Sequence, residues 1–275
     1  MTDARWAALD AHIAAHPVRG TPEEMRAAFA ALAPRGPAGR SVTLGDVPCR
    51  RFGPDSGAPI LWVHGGGLVF GSPETHAAMA DALAHLAQRP VIVPACRLAP
   101  EHPWPAPLQD VLSALDALDR PADLGGDSAG GLVALHAALQ RPGKVRRLML
   151  LSPNTDRTGA STTRMPNSAR DAMNDDAQDL ALAQLAFGDD PASHPDASPL
   201  HSDLTPLPPV FLSAATHEVL LDDTLLLTAA LARAGVPATT DIRPGLCHLW
   251  MLWPAAHPEA RRTLETLAAF ATAAP

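Results

Sequence analysis

The chain has 275 residues, 47% hydrophobic and 18% charged, a globular balance that excludes a disordered polymer and is long enough to need no disulfide or metal staples. Its 21 basic and 29 acidic residues give a formal charge of −8, which argues against nucleic acid or an anionic membrane as partner. Three scattered cysteines, Cys49, Cys96 and Cys247, suit neither a disulfide framework nor a CxxC zinc site and read as reduced packing residues.

Residues 1–20 mix charges and histidines where a secretory leader needs an apolar run. No stretch approaches the ~18 apolar residues of a membrane span, so the expectation is a cytoplasmic protein. Helices are expected around Trp6–His16 and Glu23–Leu32, then an opening strand pair over residues 41–52. The apolar run 59–63 runs into a glycine cluster. A helix follows from about Glu74 to Gln88, a buried strand at 90–95, and a helix from about Ala106 to Leu118. Residues 122–125 offer only a stub of a strand before a helix at about Ser128–Gln140 and a strand at 145–152. Residues 153–208 are polar and proline-rich around one helix, roughly Asp175–Phe187. A strand at 209–215 and a helix at about 222–234 follow, with Gly235 at the helix end and Pro237 beyond it. A strand at 237–243 and a helix at about 258–272 close the chain. Strand–helix alternation predicts a parallel sheet with helices on both faces. Residues 1–40 and 153–208 break the alternation, and segments of that length usually serve as a lid. Both are expected to form a cap, over a core made of residues 41–152 and 209–275.

Gly126-Asp127-Ser128-Ala129-Gly130 fits G-x-S-x-G, in which a strand turns sharply into a helix and leaves a strained serine hydroxyl above the sheet. Alone the pattern is weak, because glycine is common enough to produce it by accident in about one chain of this length in ten. The apolar helix that follows at once strengthens it. His64-Gly65-Gly66-Gly67 ends the strand at 59–63. Three glycines there are costly in chain entropy, but bare N–H groups of Gly66 and Gly67, with that of Ala129, can hold an oxyanion. His64 reads as a loop anchor rather than a base. The phosphate-loop patterns G-x-x-x-x-G-K-[ST] and G-x-G-x-x-G are absent.

A serine hydroxyl needs an oriented base to act near neutral pH. Of twelve histidines, His248 follows a strand and a Pro244-Gly245 turn late in the chain, as the order Ser, acid, His requires. The acid belongs just past the strand at 209–215, where Glu218, Asp222 and Asp223 compete; Asp222 and Asp223 can also cap the next helix.

Six stretches occur in order: HGGG at 64–67, GSPETH at 71–76, RLAPEHPWPA at 97–106, GDSAGG at 126–131, EVLLDD at 218–223 and CHLW at 247–250. With them the chain resembles the hormone-sensitive lipase branch of the α/β-hydrolases, the bacterial carboxylesterases, over most of residues 41–270. The resemblance implies an eight-stranded, mostly parallel sheet with a helical cap, no cofactor or metal, and a small ester as substrate. It implies Ser128 as nucleophile, His248 as base and Glu218 as acid, with Asp222 in support and Val219 in place of the family's proline. Leu68 stands where an aromatic residue is usual, which would widen the acyl-side wall, and Asn154 where tryptophan is common. Leu68, Asn154, Met165 and Trp250 are the expected substrate-binding residues; Met173, Phe187, Leu200 and Trp253 could join an apolar lining. Glu101 and Trp104 would shape the loop beside the site. The expected reaction is hydrolysis of short-chain or cyclic esters. An amidase, formamidase or lactonase with the same triad, a non-catalytic binder, and assembly as a homodimer are left open.

Overall fold

The computed structural model describes residues 4–273, with side chains from residue 8 onward; residues 1–3 of the expected N-terminal segment and the last two residues lie outside it. Two helices come first, α1 (Ala4–Ala15) and α2 (Pro22–Leu32). Thr21 opens α2 with a capping box, its hydroxyl accepting from the Glu24 N–H while the Glu24 carboxylate accepts from the Thr21 N–H, and Pro22 costs nothing at the first turn. Met25, Phe29 and Leu32, at helical spacing, are its buried face.

The core follows as β1 (Arg40–Leu44), β2 (Val47–Phe52), β3 (Ile60–Val63), α3 (Ala77–Ala87), β4 (Val91–Pro94), α4 (Ala106–Asp116), β5 (Ala122–Asp127), α5 (Ala129–Gln140) and β6 (Val145–Leu151). After an insertion carrying α6 (Arg164–Asn167) and α7 (Asp176–Phe187) come β7 (Val210–Ala215), α8 (Leu221–Arg233), β8 (Ala238–Arg243) and α9 (Pro258–Thr272). The sheet runs β1-β2-β4-β3-β5-β6-β7-β8. β2 is antiparallel to β1 and β4, and every other pairing is parallel. Every residue of β3, β4, β5 and β7 is buried. Successive side chains of a strand point to opposite faces, so both faces are covered, as a parallel sheet requires.

Three expectations change. The stub before the serine is a full six-residue strand, β5, paired on both sides. Its glycines are there for room: a Cβ on Gly125 would lie 2.5 Å from the Trp62 ring, and one on Gly126 would lie 2.4 Å from the Gly130 carbonyl. α3 starts at Ala77 rather than near Glu74, because Ser72 and Thr75 cross-bond their side chains and N–H groups into a turn. Asp222 and Asp223 do not cap α8; Leu220 stands at its cap. Their carboxylates reach into the insertion instead, Asp222 to Thr162 and Asp223 to the Thr155 and Asp156 N–H groups and to Arg164.

Candidate active site

At the C-terminal ends of β3 and β5 two tight turns face each other. Ser128 sits between β5 and α5 at φ +54°, ψ −126°, a left-handed backbone that a non-glycine residue adopts only under constraint. The constraint is visible. The Ser128 N–H donates to the Leu151 carbonyl at 3.0 Å, and its own carbonyl accepts from Gly131 at 3.0 Å and Asn154 at 3.1 Å. A Cβ on Gly130 would come within 2.2 Å of the Val63 carbonyl. The G-x-S-x-G glycines are thus a requirement of packing between β3, β5 and α5.

The turn after β3 is pinned by Asp127, the buried neighbour of the serine. One carboxylate oxygen accepts from the Trp62 indole at 2.8 Å; the other accepts from the Gly65 N–H at 3.0 Å and lies 3.1 Å from His76 Nε2. Burial would raise its pKa, but the charge and hydrogen bond of His76 and the Trp62 donor outweigh that and hold it below the usual carboxylate value. Gly66 has φ +116° and Gly67 φ +61°, and both line the cavity over Ser128. Ala129 is the first residue of α5, where helical N–H groups have no intrahelical partner. His64 is buried and lies 2.9 Å from the Gly65 carbonyl through Nδ1. Burial and the nearby His76 pull its pKa down to about 4, so it is neutral at pH 7.

The third and fourth contributions come from beyond β7 and β8. His248 Nδ1 lies 3.1 Å from Glu218 Oε2, and Glu218 Oε1 accepts from the Ala215 N–H at 2.8 Å. A carboxylate can only accept, so Nδ1 carries the proton and Nε2 is left with a free lone pair. Burial disfavours the His248 cation, but the Glu218 hydrogen bond and charge, reinforced by Asp171 and Asp179, raise its pKa above the ordinary 6.5. Of the three candidate acids, it is Glu218 that stands beside the imidazole.

Ser128, His248, Gly66 and Gly67 share one cavity of about 30 Å³, walled further by Val18, Phe29, Phe70, Met173, Gln178 and Leu182. The four residues expected to bind substrate are not among its walls. Leu68 is buried at φ +64°, its carbonyl accepting from Ala99; Phe70, two residues on, is the aromatic residue of this loop that lines the cavity. Asn154 lies behind the cavity, its amide donating to Asp179 at 3.0 Å and its oxygen accepting from Arg164. Met165 is 78% exposed on α6. Trp250 is fully buried, its indole donating to Thr263 at 3.1 Å. Of the other apolar candidates only Met173 lines the cavity. Glu101 pairs with Arg26 of α2, and the Trp104 indole donates to Asp196, so both tie the loop to flanking segments.

Asp179 was not expected. It lines the cavity and is held below the usual carboxylate range because Arg157 and Arg164 overcome its burial. Its position is readable only once α7 is placed over the sheet. Asp127 and His76 lie inside the motifs at 126–131 and 71–76, and the short acid adjoining the serine was the available clue. Among the described residues, no cluster of three or more His, Cys, Asp or Glu is placed to hold a metal ion, and no helix is long and apolar enough to cross a membrane.

Residues 60–252 match the sequence model of the α/β hydrolase fold family, and the chain belongs to that family. An acetyl-hydrolase of Streptomyces hygroscopicus is 32% identical over 85% of this chain and 82% of its own length. An esterase of Acinetobacter venetianus is 32% identical over 78% of this chain and 74% of its own. Among solved structures, an esterase from the bacterial hormone-sensitive lipase family superposes with a TM-score of 0.91 at 28% identity, covering 98% of both chains. The esterase EstE5, soaked with p-nitrophenyl butyrate, gives 0.90 at 26% identity with the same coverage. Within the family, the chain is a carboxylic ester hydrolase of the hormone-sensitive-lipase-like branch.

Proposed function

We propose that this ester hydrolase is a serine carboxylesterase working through an acyl-enzyme on short acyl chains. The observation that carries the reading is the 3.1 Å contact between His248 Nδ1 and Glu218 Oε2, with His248 on the wall of the cavity that Ser128 also lines. His248 Nε2 takes the Ser128 proton as Oγ attacks the ester carbonyl carbon. The tetrahedral oxyanion is held by the N–H groups of Gly66, Gly67 and Ala129, preset before charge develops. Glu218 fixes the tautomer and stabilises the imidazolium. The proton then passes to the departing alkoxide, the alcohol leaves, and water, deprotonated by His248, attacks the acyl-enzyme. Collapse of the second tetrahedral species frees the acid and restores Ser128. The cavity is small, about 30 Å³, well below the usual size of ligand sites, which suits acetyl and butyryl groups.

Ser128→Ala removes the nucleophile and nothing else. Its kcat on p-nitrophenyl acetate or butyrate is expected to fall by at least about 10³-fold, with an unchanged melting temperature. Near-parental turnover by that variant would end the reading.

A further inference from the structure

The acid and base stand on separate loops after β7 and β8, and loops of that kind are the mobile parts of a scaffold. A third segment joins them. Asp171 lies between α6 and α7 and is 8% exposed. Its Oδ1 accepts from the His248 N–H at 3.0 Å and from the Met173 N–H at 3.0 Å, while Oδ2 accepts from the Val219 N–H at 3.1 Å. Val219 directly follows Glu218. A single buried carboxylate therefore grips the backbone of the base and of the residue next to the acid, from a segment 48 and 77 residues away.

We propose that Asp171 is a positioning residue that clamps the Glu218 turn and the His248 loop in register, coupling the insertion after β6 to the alignment of acid and base. The proposal rests on reading Glu218 and His248 as those groups. One half of the clamp depends on Val219, which stands where the resembled family has proline; proline has no N–H to donate. Asp171 is not a catalytic residue, since it lines no part of the cavity over Ser128.

The titratable groups around Asp171 are Glu218 and His248 on the clamped loops and Cys247 beside the base. Across a hollow on its N-terminal side stand His16, Arg19 and Asp175. Burial pushes the Asp171 carboxyl up to about 6, against the pull of the His248 charge and N–H. Its negative charge in turn helps raise the pKa of His248. Neutralising Asp171 must then lower the His248 pKa, and the acidic limb of kcat/KM moves to lower pH.

Asp171→Asn, Val219→Pro and Val219→Ala separate the parts. An amide nitrogen cannot accept, so Asp171→Asn leaves an N–H unpaired. Its kcat on p-nitrophenyl acetate should fall on the order of 10²-fold, as for a misplaced catalytic group, with KM nearly unchanged and the acidic limb shifted down. Val219→Pro keeps the Asp171 charge and deletes one donor, so it should lose about fivefold in kcat with the limb in place. Val219→Ala keeps the donor and should match the parent. An Asp171→Asn variant whose acidic limb does not move, or a Val219→Pro variant with parental kcat, overturns the clamp. Labelling by a fluorophosphonate keeps the two readings apart. If the parent reacts and both clamp variants react as fast, the clamp alone fails; if the parent resists the reagent, the serine mechanism falls and the clamp with it.

Discussion

Asp127 and Ser128 are adjacent, yet one is fixed and the other poised. The Asp127 carboxylate accepts from Trp62 and Gly65 and so locks β3 and the glycine loop to the serine turn. The neighbouring hydroxyl stays at the cavity wall. His64, on the same loop, makes a consequence measurable. Its pKa is about 4 in the folded protein against about 6.5 in the unfolded chain. Between those values the unfolded state binds more protons, so this site stabilises the fold fully above pH 6.5 and loses that contribution as pH falls towards 4. A shift of 2.5 units is worth up to about 3 kcal/mol. His64→Asn keeps a donor near the Gly65 carbonyl without a proton to gain. Urea unfolding at pH 7 and pH 4.5 should show the parent losing about 2 kcal/mol more than the variant; parallel losses would refute the assignment of the acid sensitivity to His64.

The loop from Gly65 to Phe70 acts as one element, and its two cavity glycines differ in what they tolerate. At Gly66, φ is +116° and a Cβ would lie 2.2 Å from the Phe70 carbonyl carbon's oxygen, which is backbone and cannot yield locally. At Gly67, φ is +61° and the obstacle, at 2.5 Å, is the tip of the Leu182 side chain. Gly66→Ala should therefore displace the N–H donors and cost about 10²–10³-fold in kcat, whereas Gly67→Ala should lose far less because Leu182 can turn aside. Equal kcat losses in the two variants would mean the loop does not present its donors as described. The glycine loop and the serine turn were legible in the sequence because their backbone demands are local and only glycine meets them. The expected bounds of α9 coincide with the observed ones for a similar reason: an apolar period starting at a proline is a short-range pattern. β5 was not legible at full length, since Gly125 and Gly126 lower strand propensity and owe their presence to Trp62 and Gly130, the first from another strand. The cavity lining was least legible of all. Val18, Phe29, Gln178 and Leu182 reach it from two segments far apart in sequence, while Met165 and Trp250, equally apolar, face solvent and core. Hydrophobicity marks candidates, but which of them meets the substrate is decided by how α2 and α7 settle on the sheet.

At the scale of the whole molecule, the stretch from Val18 to Phe29 and the insertion meet as a roof over the cavity, the second through Met173, Gln178 and Leu182. Arg26 of α2 bonds the Val69 and Ala99 carbonyls and pairs with Glu101, while Gln178 of α7 donates to Val18. Under this roof Leu182 and Gln178 separate two spaces: the cavity over Ser128, about 30 Å³, and a groove of about 540 Å³ that the same two residues also line, together with Arg19, Met25 and Leu185. On the proposed short-acyl reading, the smaller space limits acyl length only as long as that partition stands. The parent should therefore show its highest kcat/KM on p-nitrophenyl acetate or butyrate and decline towards octanoate. Leu182→Ala removes most of the partition and joins the spaces. Each methylene that then finds apolar contact is worth about 0.8 kcal/mol, or about fourfold in kcat/KM, so the octanoate-to-acetate ratio should rise by one to several factors of about four. Loss of the buried leucine should cost about 2 kcal/mol of stability, the low end for such truncations because the site already borders open space. Assays well below the melting temperature keep that cost out of the ratio. An unchanged octanoate-to-acetate ratio in a folded Leu182→Ala protein would place the control of acyl length elsewhere in the roof.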